Sequence, residues 1–152
     1  MIFIKKIIIH FDMNKRILKK IKLQIKGGLA NPAPPIGPAL GAAGVNIMDF
    51  CKKFNSKTEE KKEKLLPVII TIYEDKNFDF IIKQPPISKQ LLEICNLEKG
   101  SKEPNKIKVG KISWLKIKLI AKNKIIDMNC FNIKSAISMV AGTARSMGIE
   151  IF

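Results

Sequence analysis

Residues 78 to 95 read FDFIIKQPPISKQLLEIC, and inside this one stretch the hydrophobic pattern changes period. Phe78 to Lys83 is a β-branched and aromatic run of strand type, whereas Ile87, Leu91, Leu92 and Cys95 recur at helical spacing. Between them stand Pro85 and Pro86, which fix φ and remove two backbone donors, so the chain is expected to run extended and semi-rigid there. A boundary at residues 84–86 follows, with a strand-containing domain over 13–83 and a helical domain over 87–152.

Upstream of the boundary, Ile17, Ile21, Leu23 and Ile25 alternate with lysine and glutamine, the signature of a half-buried strand. Ile47, Phe50, Cys51 and Phe54 recur at i, i+3, i+4 and i+7 behind Asn46, a residue type that caps helix N-termini. The run SKTEEKKEK (56–64) reads as a charged loop. Pro67 to Tyr73 and Phe78 to Lys83, joined by Glu74 to Asn77, read as an antiparallel hairpin. The first half is therefore expected to be a small α+β unit.

Downstream, all the patterning is helical. One helix is marked by Ile87 to Cys95, and a second runs from Trp114 to about Ile125 behind Ser113. A third, about Asn132 to Met147, is expected to bury Ile133, Ala136, Ile137, Val140, Ala141 and Ala144, with Gly148 ending it as a C′ residue. Its other face carries Ser135, Ser138, Met139, Gly142, Thr143 and Ser146 beside Lys134 and Arg145. An interior glycine costs a helix about 1 kcal/mol relative to alanine, so something is expected to come close at Gly142. Two partners fit: a shallow RNA minor groove with its 2′-hydroxyls, or a second helix crossing over small residues.

Twenty-eight Lys and Arg against thirteen Asp and Glu give a formal net charge of +15. Such a chain is attracted to polyanions, whether RNA, DNA or an anionic membrane surface. Lysine greatly outnumbers arginine (Arg16 and Arg145 only) and Ile and Asn are abundant, a bias of A+T-rich codons that dilutes the meaning of the charge. Cys51, Cys95 and Cys130 are far apart and His10 is the lone histidine, which excludes a sequence-evident zinc site and favours reduced thiols packed as small apolar groups. No paired acid and base, no nucleophile beside a histidine and no phosphate-cradling glycine loop are present, so neither an enzyme, a cofactor nor a small-molecule substrate is expected. Residues 1–11, MIFIKKIIIHF, are too short and too broken by lysine to span a bilayer, and lack a cleavage signal. They are an extension, an organellar leader, or untranslated sequence before a start at Met13.

Four stretches carry a resemblance: KLQIKGGLANPAPPIGPALGAAGVNIMDFCKKFN, FDFIIKQPP, GSKEPNKIKVGKI and AGTARSMG. Together they resemble the ribosomal protein L eleven family of the bacterial and organellar large subunit, in order and over essentially Met13 to Phe152. The resemblance implies an α+β fold of two small domains. The first has a short antiparallel sheet and a proline-rich helix, and the second is a three-helix RNA-binding domain. It also implies a structural role at the GTPase-associated centre of large-subunit rRNA, at the stalk base beside ribosomal protein L ten, where translational GTPases act. The implied rRNA contacts are Gly100, Ser101, Lys102, Pro104, Asn105, Lys106, Gly110, Lys111, Asn129, Gly142, Thr143, Arg145 and Ser146. Lysines there would neutralise phosphates while small residues admit the backbone, so the RNA would be recognised mainly by shape. Loop 98–106 has few apolar anchors and is expected to be ordered by the RNA.

The neutral run NPAPPIGPALGAAG (31–44) has little attraction for phosphate. Its prolines pre-set φ, and Pro35 is placed to begin a short helix through Ala39, Leu40 and Ala43. By resemblance, Pro34, Pro35 and Pro38 face the cleft where translational GTPases dock and thiopeptide antibiotics wedge; the alternative is a rigid connector. Lys15 and Lys52 lie near positions methylated in the family. Residues 1–12 precede the usual family start, and Asn129-Cys130-Phe131 stands where some members carry small polar residues. The ribosome implied is that of a bacterium or an organelle.

Overall fold

The computed structural model describes residues 16–152. The extension, the proposed start at Met13 and Lys15 lie outside the described residues. Strands β1 (Ile17–Lys26), β2 (Leu65–Tyr73) and β3 (Phe78–Ile82) form an antiparallel sheet in the order β1-β2-β3. In β2 every second residue turns inward: Leu66, Val68, Ile70 and Ile72 are buried. Ile70 lies opposite Ile21 on one side and Phe80 on the other. This is the period-two pattern of a sheet covered on one face. Its cover is the short helix α1 (Ile36–Gly41) and α2 (Ile47–Lys57), which bury Ile36, Leu40, Phe50, Cys51 and Phe54 against the strands. Phe50 and Phe54 stack at 5.8 Å, and Phe78 and Phe80 meet Phe50 edge-on, an arrangement favoured by the ring quadrupoles. Lys57 Nζ lies 4.6 Å from the Phe80 ring centre, so its stem shields a half-buried aromatic.

Asn46 caps α2 as the sequence predicts, accepting a hydrogen bond from the Asp49 amide at 3.3 Å. The run read as a charged loop is more structured than expected. Helix α2 continues to Lys57, a 3-10 turn occupies Glu59–Lys61, and Thr58 between them is buried. Its hydroxyl donates to Phe54 O at 2.8 Å and accepts from the Gly28 amide at 2.9 Å. Asn55 clasps Ala30 from both sides, accepting from its amide at 2.9 Å and donating to its carbonyl at 3.1 Å. These bonds tie the end of α2 to the turn that feeds the proline segment. The segment therefore leaves the sheet in a fixed direction.

Residues 83–86 have no regular structure, and α3 (Ile87–Cys95) starts immediately after Pro86. With α4 (Trp114–Lys124) and α5 (Ile133–Ser146) it encloses a second core containing Leu91, Ile117, Ile120, Ala136, Val140 and Ala144. Three details depart from the sequence reading. The half is not wholly helical, because β4 (Gly110–Ile112) pairs in parallel with β5 (Ile149–Ile151) and buries Ile112 and Ile149. Three-residue strands are too short to display a period. Ile133 is exposed rather than packed; as the first residue of α5, its side chain leans toward the N-terminus and off the end of the packed stripe. Ser113 holds the cap position of α4 with extended backbone, yet its side chain makes no capping bond.

Candidate nucleic-acid interface

Helix α5 turns Ala136, Val140 and Ala144 inward, and geometry at 3.6 residues per turn then puts Ser135, Ser138, Met139, Gly142 and Ser146 outward. A Cβ built on Gly142 would meet no atom within 4 Å. Within the described residues, then, no helix crosses this face, and the helix-crossing explanation for its small residues fails. The hydroxyls along it are partly committed. Thr143 Oγ1 donates to Met139 O at 3.1 Å, Ser146 Oγ to Thr143 O at 2.8 Å and Ser138 Oγ to Lys134 O at 3.2 Å. Each hydroxyl has one hydrogen and has spent it on its own helix, so what it offers outward is an acceptor. Acceptors suit the 2′-hydroxyls of an RNA groove and repel bare phosphate oxygens.

Gly148 ends α5 with φ +75°, the left-handed conformation that favours glycine. The position is also crowded: a Cβ there would lie 2.6 Å from Ser101 Cβ and 2.9 Å from Ile107 O. This closeness stitches the basic loop to the helix end. Ser101 N donates to Met147 O at 2.9 Å, Val109 N donates to Gly148 O at 2.9 Å, and Gly100 packs on Met147. A tight turn follows in which the amides of Lys106 and Ile107 both donate to Glu103 O. The sequence reading of few apolar anchors is joined here by a second kind of tie. These ties are backbone hydrogen bonds, which composition does not reveal.

Of the predicted contacts, Gly100, Ser101, Lys102, Pro104, Asn105 and Lys106 lie on this stitched loop, adjoining the α5 end that carries Thr143, Arg145 and Ser146. Lys102, Asn105, Lys106, Arg145 and Ser146 are exposed. Two predicted phosphate partners already hold carboxylates: Lys106 pairs with Glu103 at 3.3 Å and Lys111 with Glu150 at 3.2 Å. Solvent-exposed pairs of this kind contribute about 0–1 kcal/mol, too little to prevent exchange for a phosphate. Gly110 is half-buried, and a Cβ there would press on Leu97 at 3.0 Å. Asn129 sits at the opposite end of α5, whose 14 residues span roughly 21 Å. Pro34, Pro35 and Pro38 are exposed on the other unit, outside this surface, and so is Lys52 on α2.

The sequence matches the family model described as "Ribosomal protein L11, N-terminal domain" over residues 21–78 and that described as "Ribosomal protein L11, RNA binding domain" over residues 83–151. The chain belongs to the ribosomal protein L11 family. Large ribosomal subunit protein uL11 of Karelsulcia muelleri is 81% identical over 139 residues, covering 91% of this chain and 99% of that protein. The same-named proteins of Porphyromonas gingivalis and Amoebophilus asiaticus are 60% and 55% identical over the same length, covering 91% of this chain and 96% and 99% of those proteins. Membership sets the chain among ribosomal proteins of the large subunit with an RNA-binding domain, and apart from enzymes. The α+β fold with its two cores agrees with the two matched domains of the L11 family. No helix among the described residues is long and apolar enough to cross a membrane.

One exposed group is not among the contacts that the sequence implies. Phe131, just before α5, is completely exposed, at 101% of its reference area. Its position outside the 3.6-residue apolar stripe was the available signal.

Proposed function

We propose that the chain is a structural constituent of a bacterial large ribosomal subunit that binds the GTPase-associated region of its rRNA. The contact runs through loop 100–106, Lys111, Asn129 and the outer face of α5. The observation that carries this reading is the open, small, acceptor-bearing face around Gly142, continuous through Met147 and Gly148 with a lysine-bearing loop. Lysines at Lys102, Lys106 and Lys111 neutralise backbone phosphates, and the small face lies against the RNA groove. Gly110 contributes indirectly, by closing β4 against α3. Residues 16–83 form a unit of their own, joined through 84–86, that presents Pro34, Pro35 and Pro38 to translational GTPases. The chain then serves the stalk base together with ribosomal protein L ten, and Lys15 and Lys52 are candidate methylation sites.

The test is equilibrium binding of the full chain to the isolated rRNA region and to an RNA duplex of equal length, across a salt series. The rRNA should be preferred at every salt concentration. Removing Lys102 or Lys106 should flatten the salt slope by about one unit each. Equal affinity for the two RNAs would replace the proposal with nonspecific attraction to polyanions.

A further inference from the structure

Between the turn Ile125–Asp127 and α5, the chain crosses residues 128–132, with extended backbone at both ends: Met128 has φ −92° and ψ 149°, and Asn132 has φ −112° and ψ 144°. Burial alternates along it. Met128 and Cys130 are half-buried and pack on the second core, whereas Asn129 and Phe131 are exposed. Asn129 and Phe131 are thus two exposed side chains flanking the inward-packed Cys130. Lys134 is exposed in the first turn of α5, that turn holds no acidic residue, and Asn132 makes no capping bond; the acid on the other side, Asp127, is already paired with Lys124.

We infer that Phe131 is a base-stacking residue: an unpaired RNA base lies on its ring while Asn129 hydrogen-bonds an edge or sugar beside it. The assignment rests on the rRNA reading above and extends that interface to the N-terminal end of α5. Aromatic rings that bind single-stranded or splayed-out bases share these properties. They project free of the protein, stand among donors and positive charge, and offer both faces without a preferred sequence. Phe131 contributes nothing to the core that would otherwise explain it, since its full reference area is open to water. The outer face of α5 starts four residues later at Ser135, so a nucleotide on Phe131 adjoins RNA lying along that helix.

The experiment uses the full chain and a transcript of the GTPase-associated rRNA region. Phe131→Ala and Phe131→Leu should each bind roughly tenfold more weakly, the loss typical of one stacked base. Phe131→Trp should retain the affinity, because the ring is kept. Since no charge is removed, the salt slope should stay that of the wild type, unlike the Lys102 variant. In a Trp114→Phe, Phe131→Trp double variant the tryptophan emission should be quenched on adding the RNA. Wild-type affinity in Phe131→Ala, or emission unmoved by RNA, overturns the stacking assignment while the interface stands. Failure of the wild type itself to prefer this RNA overturns the interface and the stacking residue together. Because the Phe131 side chain is fully exposed, the three single Phe131 variants should unfold at the wild-type temperature.

Discussion

The main-chain amide of Gln84 donates to Asp127 Oδ2 at 2.7 Å, and Lys124 Nζ, 3.1 Å from the same carboxylate, donates to Gln84 O. The connecting segment is thereby held by both of its backbone groups, and the holding pair is largely buried, with side chains only 12% and 14% exposed. Removing the acid strands a buried lysine and an amide. Asp127→Ala should lower unfolding stability by about 1–3 kcal/mol. Asp127→Asn should cost less, because the amide oxygen can still accept from Gln84. Urea unfolding of the three proteins decides it, and an Asp127→Ala midpoint equal to wild type would show that the clasp contributes nothing.

The same contacts bear on where a C-terminal fragment should begin. A fragment of residues 84–152 retains Gln84 and fills the Lys124–Asp127 site, whereas 87–152 leaves both side chains without it. If the second core folds alone, the longer fragment should be the more stable and should bind the rRNA region. Loss of that binding on removing residues 16–83 would place part of the contact in the first unit.

Gly142 and Gly148 stand six residues apart and should respond to substitution in opposite ways. Around Gly142 there is open space, so Gly142→Leu should leave the fold intact and stabilise α5 by up to about 1 kcal/mol through helix propensity. The same leucine would hold the helix off the groove. RNA affinity should fall by roughly tenfold or more, each decade being 1.4 kcal/mol. Gly148→Ala meets both a left-handed φ and the Ser101 contact, and should destabilise the protein by about 1–3 kcal/mol. Thermal unfolding alongside RNA titration separates the two. A folded Gly142→Leu with unchanged affinity would remove the outer face of α5 from the interface.

What the sequence displayed, and what it hid, follows from the range of each signal. The alternation in β1 and β2 and the stripe of α5 are repeated over enough residues to be visible, and they located the sheet and the helices. Loop 98–106 shows few apolar anchors in its sequence, and the ties that hold it and the residues after it, Ser101 N to Met147 O and Val109 N to Gly148 O, are backbone bonds between segments distant in sequence. The pairing of β4 with β5 was hidden for the same reason. Thr58 lay inside a run of charge, yet its hydroxyl joins two elements and is buried. At the candidate interface, the residue types of the outer α5 face were legible. Whether they faced another helix or open space was a question of tertiary packing.

Burial pushes the Cys51 thiol above its ordinary value, since the low-dielectric core disfavours a thiolate. In the native protein at mildly alkaline pH, iodoacetamide should therefore modify Cys95 and Cys130 well before Cys51, and all three at similar rates in urea. The sign of the linked stability is fixed. The folded state keeps the proton that the unfolded thiol gives up, so this contribution declines as pH rises through the ordinary thiol range. Peptide mapping of the alkylated protein over time provides the check; prompt labelling of native Cys51 would contradict its place in the first core.

The proline segment presents its ring side chains to solvent while anchoring itself from beneath. Ile36 and Leu40 are buried under α1, and Pro34, Pro35 and Pro38 are exposed above it. Stiffness and exposure together suit a docking surface, because little conformational entropy is lost when a partner settles on it. Packing alone would not require exposed prolines, since the inward pair already fastens the segment to the sheet. Pro35→Ser and Pro38→Ser leave that pair untouched, so stability should change by no more than about 1 kcal/mol. Binding to the rRNA region, assigned to the other unit, should be unchanged. Thiopeptide binding to the protein-RNA complex should weaken, and factor-dependent GTP hydrolysis on ribosomes carrying the variants should differ from wild type. Equal thiopeptide affinity and equal GTPase rates for all three proteins would reduce NPAPPIGPALGAAG to a rigid connector between β1 and α2.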